Sequence, residues 1–166
     1  MMKNWIKRWR ALWKPDMYHG WGKCHRYFEG WYFKLVAPGK EAAFAVIPGI
    51  SRDADGTPHA FIQVMDGLAQ RASYHEFPAE EFRPSSRRFA LELGGNFFSP
   101  ERVRLALPEL EGELEFGEIY PWPSRLLAPG IMGWYSFVPF MECYHGVVSV
   151  DHALSGRLKV HGREVD

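Results

Sequence analysis

The sequence predicts an all-β fold, an antiparallel barrel or sandwich preceded by a short basic N-terminal helix. Three observations predict it. Past Pro15, short apolar or alternating runs follow one another at strand spacing. Turn dipeptides punctuate those runs, and no second helical periodicity of useful length appears. At 166 residues the chain has the length of one domain with a sizeable core. Residues 1–14 are read as the helix and 15–166 as the β domain.

Trp5, Ile6, Trp9, Leu12 and Trp13 recur at helical spacing, with Lys3, Lys7, Arg8, Arg10 and Lys14 distributed around them and no acid in the first fourteen residues. A helix with tryptophans on one face and cations on the other suits a membrane interface, where it lies in the plane. Docking of the same apolar stripe on the protein itself is the alternative. The segment has neither the apolar h-region nor the small-residue cleavage site of a secretory signal. Pro15 ends it.

The strand expectations are, in order, Phe28–Val36, Ala42–Ile50, Ala60–Met65, Ala72–Phe77, Arg88–Leu93, Arg102–Leu107, Gly112–Glu118, Glu142–Val150 and Leu154–Val160. Between them stand Pro38-Gly39, Asp55-Gly56, Asp66-Gly67, Pro84-Ser85-Ser86, Gly94-Gly95-Asn96 and Ser155-Gly156, each a turn signal. The segment Pro121–Met141 interrupts the series as a long loop, and loops of that length usually cover something or act. Arg163–Asp166 follows directly on a strand, so no terminal element is expected to cover it.

Lys and Arg number 20, as do Asp and Glu, and this balance argues against nucleic acid as the partner. Beyond the N-terminal segment the balance is acidic, 15 cations against 20 carboxylates. Cys24 and Cys143 make no CxxC pair and no disulfide framework; they read as buried free thiols in a reducing, cytoplasmic compartment. No apolar run is long enough to span a bilayer, so any membrane contact is peripheral, through residues 1–14.

The most unusual window is Gly130–Ser149, GIMGWYSFVPFMECYHGVVS, followed by Asp151 and His152. It mixes Trp134, Tyr135, Phe137, Phe140 and Tyr144 with Glu142 and His145. Buried polar groups need partners, so these residues either satisfy one another or line an apolar pocket. Were Glu142–His152 one extended strand, His145 and Asp151 would share a face about 20 Å apart, and Asp151 and His152 would point oppositely. Neither pair then forms a dyad. In Phe28–Leu35, Glu29 shares a face with Trp31 and Phe33. A carboxylate there sits at a rim, or bonds a partner, or is held neutral by desolvation, the state a general acid needs. Gln63 shares a face with Phe61 and Met65 as an uncharged hydrogen-bonding group among apolar ones. The seven histidines show no metal-ligand spacing, so no metal is expected. No phosphate loop or nucleophile elbow occurs.

FEGWYFK (Phe28–Lys34), FIQV (Phe61–Val64), PWP (Pro121–Pro123), the Gly130–Ser149 window with Asp151-His152, and Leu154-Ser155-Gly156 together resemble the tocopherol cyclase family, including its uncharacterised bacterial members. The resemblance runs from about Tyr18 to Gly162. It implies two β-rich halves of lipocalin-like (calycin-like) character, of which this chain resembles the first, with a second β domain as its partner. It implies closure of a chromanol ring on a hydrophobic, prenylated hydroquinone: an acid protonates the alkene, and the phenol oxygen captures the tertiary cation. No cofactor is needed. Aromatic faces stabilise the cation, and an apolar, water-excluding cavity holds the tail. The acid candidates are Glu29, Glu142 and Asp151, with His145, His152 and Tyr144 assisting. Trp31, Phe33, Gln63, Trp134, Tyr135, Phe137 and Phe140 are the substrate-contact candidates. A lipocalin-like barrel that carries a lipid, quinone or carotenoid unchanged is the competing reading, and one structural half of a larger site is the third.

Overall fold

A computed structural model describes residues 14, 16–123, 125, 128, 130–138 and 145–165. The basic N-terminal segment therefore lies, Lys14 apart, outside the described residues, as do Phe140, Glu142, Cys143 and Tyr144.

Two antiparallel sheets make up the fold. The first contains β1 (Tyr27–Gly30), β2 (Phe33–Val36), β3 (Ala43–Arg52), β4 (Pro58–Asp66) and β5 (Arg71–Phe77), ordered β1-β3-β4-β5 with β2 also on β3. The second is a meander of β6 (Arg83–Pro84), β7 (Leu91–Leu93), β8 (Asn96–Phe98), β9 (Arg102–Ala106), β10 (Leu110–Gly117), β11 (Ala153–Val160) and β12 (Arg163–Val165). The all-β, antiparallel expectation holds. Neither ladder closes, so among the described residues the sheets are open and do not form a barrel.

The run expected as one strand from Phe28 to Val36 divides into β1 and β2, although both keep the same register on β3: Gly30 faces Gly49 and Phe33 faces Val46. The division falls opposite Pro48. Trp31 donates to the Pro48 carbonyl at 3.0 Å, but proline has no N–H to return.

Alternation fills the space between the sheets. Phe44, Val46, Ile50, Ala60, Ile62 and Val64 face Leu91, Leu93, Phe98, Val103, Leu105, Leu110 and Leu114 in one core. Asn96 is buried there with its amide satisfied. Its Nδ2 donates to the carbonyls of Leu93 and Gly94, each at 3.0 Å, and its Oδ1 accepts from Ala106 N at 2.8 Å. The turn it closes, Gly94-Gly95, has φ of +56° and +80°, the left-handed pair that a two-residue hairpin requires.

The outer faces differ. On the second sheet, Glu111, Glu113 and Glu115 of β10 stand between Arg102 and Arg104 of β9 and Arg157 and Lys159 of β11. That face is charged and solvated. The outer face of the first sheet instead carries a ring stack across three strands. Phe28 lies 5.6 Å from Phe61, and Phe61 lies 5.2 Å from Tyr74, both pairs at 14° between planes.

Four local expectations are corrected. The described part of Glu142–Val150, from His145 onward, forms no strand; β11 begins at Ala153. Ser155-Gly156 lies inside β11 rather than in a turn, because Gly156 at φ +126° bends the strand without ending it. Arg163–Val165 is itself a terminal strand paired to β11, through the turn His161-Gly162. Cys24 is exposed, not buried. Among the described residues no helix is long and apolar enough to cross a membrane.

Candidate functional site

The residues of the FEGWYFK stretch divide by alternation. Phe28 faces outward, while Tyr27, Glu29, Trp31 and Phe33 face the core side of the first sheet. Glu29 there is a shared acceptor. The His19 backbone N–H donates to both carboxylate oxygens, at 3.1 and 3.0 Å, and His19 Nδ1 lies 2.9 Å from Oε1. The Tyr27 hydroxyl donates to Oε2 at 2.6 Å. A carboxylate at this position has partners on both oxygens. The cluster fastens residues 16–19 onto β1. Trp31 adds to it, its indole N–H donating to the Asp16 carbonyl at 2.8 Å.

Trp31 packs inside the core, and the part-buried Phe33 packs against it. Trp31 is 8% exposed and stacks against Phe82 and Phe89, 6.2 and 5.2 Å away. Phe33 contacts Phe89, Phe98 and Phe116 at 6.2, 5.4 and 5.9 Å. Gln63 faces outward on β4 with Phe61, between Ile47 of β3 and Tyr74 of β5. The shared face read from alternation is the observed one.

Past Gly117 the β10–β11 ladder breaks at Glu118, whose φ is +48°. It resumes where Val150 N donates to the Tyr120 carbonyl at 3.0 Å and Tyr120 N donates to the Asp151 carbonyl at 3.1 Å. Asp151 is exposed, and its Oδ1 accepts from the His152 backbone N–H at 3.0 Å. His152 packs edge-on against Phe116, 5.1 Å between centroids, and so buttresses the Phe33 cluster. His145 is exposed, its N–H directed at the Met132 sulfur at 3.0 Å.

Gly130–Phe137 carries the remaining aromatic candidates. Gly133–Phe137 forms one 3-10 turn, with Gly133 at φ +57°. Trp134 is 60% exposed, Tyr135 50% and Phe137 41%, and the Trp134 and Tyr135 rings stack at 4.0 Å. Among the described residues these side chains form an aromatic surface patch. Among the described residues no group of three or more His, Cys, Asp or Glu side chains is placed to hold a metal ion.

Two polar groupings carry no signal in the motif reading. One is Glu29's partner His19, which sits in a loop ten residues away. The other joins Ser73 and His75 of β5 to Glu109. His75 Nε2 lies 2.8 Å from Glu109 Oε1, and the Ser73 hydroxyl donates to the same oxygen. The i, i+2 spacing of Ser73 and His75 was readable; their acceptor, beyond β9 in another sheet, was not.

No family model, curated protein or solved structure matches this chain.

Proposed function

We propose that this chain is a tocopherol cyclase-like protein with a lipocalin-like β scaffold, acting on a prenylated hydroquinone. The reaction is cofactor-free closure of the chromanol ring: the acid protonates the alkene, the phenol oxygen captures the resulting cation, and the phenol's proton passes back to the acid's conjugate base. The observation that carries the reading is the Trp134–Tyr135 stack with Phe137, aromatic faces presented outward from the motif that most resembles the family. Rings in that arrangement suit an apolar isoprenoid tail and the cation formed along it. In the setting that the resemblance implies, a second β domain covers this patch and excludes water from it.

The acid is sought among three carboxylates. Glu29 already accepts from His19 and Tyr27, and Asp151 is in water. Those two placements favour a second reading, binding of the same apolar ligand without turnover. Incubation of the protein with a prenylated hydroquinone separates the two: chromanol formation supports the cyclase, and saturable binding without product supports the carrier. Glu29→Gln, Glu142→Gln and Asp151→Asn, tested singly, then identify the acid as the position whose amide keeps binding and loses product. Retained turnover in all three removes the assigned acids.

A further inference from the structure

Away from the aromatic patch, the loop Gly20–His25 overhangs the end of β3 and leaves an open cleft of about 610 Å³. Its size is that of a small-molecule site. One wall is apolar, built from Tyr18, Ile50, Phe82 and Pro84. The other elements are polar: Arg52 at the end of β3, Lys23 and His25 on the overhanging loop, and Asp55 from the β3–β4 turn.

The charges are unequal. Lys23 and Arg52 face a single carboxylate, Asp55, and its Oδ1 already accepts the Thr57 backbone N–H at 2.8 Å. Arg52 sits two residues beyond Ile50 on the core side of β3, opposite Tyr27. Its Nε–H is buried and bonds no acceptor among the described residues. A buried N–H without a partner is costly, more so on a charged group. Tyr18 touches the same guanidinium. Burial pushes the Tyr18 phenol up and the Glu29 carboxylate adds to that, while the charge and hydrogen bond of Arg52 pull it down. Glu29 itself is held by His19 and Tyr27.

A guanidinium edge, Nε with one Nη, presents two parallel N–H donors that match the two oxygens of a carboxylate or phosphate. We propose that this cleft binds a small amphipathic organic anion, its carboxylate or phosphate on Arg52 and its hydrocarbon body against Tyr18, Ile50 and Phe82. A neutral ligand of the same shape would leave the buried N–H unpaired and bind more weakly. Lys23, exposed on the lip, adds long-range attraction rather than a fixed contact.

The test is titration of the full chain with decanoate, decyl phosphate and neutral decanol, followed by ¹⁵N–¹H NMR. The Arg52 Nε–Hε resonance is assigned by its loss in Arg52→Lys. Both anions should move that resonance saturably and decanol should not, and the tighter anion names the head group. Arg52→Gln should weaken anion binding by ~10-fold, the worth of one charge-assisted hydrogen bond. Lys23→Gln, at an exposed position, should weaken it by about two- to threefold at low salt and less at high salt. Decanol binding as tightly as decanoate, or anion binding unchanged in Arg52→Gln, overturns the proposal. Should Arg52→Gln fail to fold, the wild-type resonance decides: no saturable movement with either anion overturns it.

Discussion

His75 and Glu109 meet at 2.8 Å across the two sheets, one from β5 and the other from the turn between β9 and β10. Ser73, two residues from His75 on the same face, donates to the same Glu109 oxygen. The contact fixes the edge strand of the first sheet to the second.

Burial would raise the Glu109 carboxyl, but the hydrogen bonds from His75 and Ser73 outweigh it and hold the group below its ordinary value of 4.5. A depressed folded value means that the unfolded chain takes up the proton first as pH falls. The clamp's stabilisation is thus fully present above about the ordinary carboxylate value and is lost as pH drops through the lower, folded one. Urea unfolding between neutral and acid pH should show that loss. Glu109→Gln should be less stable by about 1–2 kcal/mol at pH 7 and should flatten the acid side of the profile. A Gln variant with unchanged acid dependence would remove this role.

Gly112 and Gly156 occupy equivalent places on β10 and β11. A Cβ on Gly112 would overlap the Arg157 carbonyl, and one on Gly156 would overlap the Glu113 carbonyl. Their φ values are +142° and +126°. Alanine at either site should lower stability by about 1–3 kcal/mol, through overlap and backbone strain together. Gly162→Ala, with nothing near its Cβ, should cost less; thermal unfolding of the three variants checks the order.

Tyr27→Phe removes one of the donors on Glu29 while keeping the ring against Tyr18, 6.4 Å away. The expected loss is about 1 kcal/mol. Glu29→Ala removes every one of those bonds and should cost more, about 2–3 kcal/mol, with residues 16–19 gaining amide exchange before the sheets do. Equal exchange across β1 and those residues would count against the fastening role.

Much of this architecture was legible because it is local. Ala43–Arg52, Pro58–Asp66 and Arg71–Phe77 stand where alternation and the Asp-Gly turns put strands. Trp31 and Phe33 fall on one face for the same reason. What was not legible is set by distant chain. The break between β1 and β2 depends on Pro48 in the neighbouring strand, and Glu29's fate depends on a loop histidine. β6, β8 and β12 are two or three residues long, too short to show any period. Gly156 reads as a turn because a glycine that bends a strand and one that ends it look alike in sequence. Exposure of Trp134 and Phe137 was unreadable too, since aromatic composition argues for burial without saying against what.

Trp134→Ala, the more exposed of the two, should leave stability within about 0.5 kcal/mol of the parent, and the less exposed Phe137→Ala should cost somewhat more, about 1 kcal/mol. In the proposed function they should weaken binding of a prenylated hydroquinone several-fold. A large loss of stability would instead place the rings in the fold's own packing. Phe98→Ala, fully buried, is the contrast: about 3–5 kcal/mol.

The β10–β11 pairing separates itself from every other by the chain it must close. Most hairpins here turn within a few residues, but Gly117 and Ala153 are joined through residues 118–152. Bringing the ends of so long a stretch together costs roughly 2 kcal/mol more than a four-residue turn. Folding should therefore run early through β3–β4–β5 and the β7–β8–β9 hairpins and wait on this closure. The bonds of Tyr120 to Val150 and Asp151, which shorten the open span to 121–149, then act on the folding rate rather than on the final stability alone.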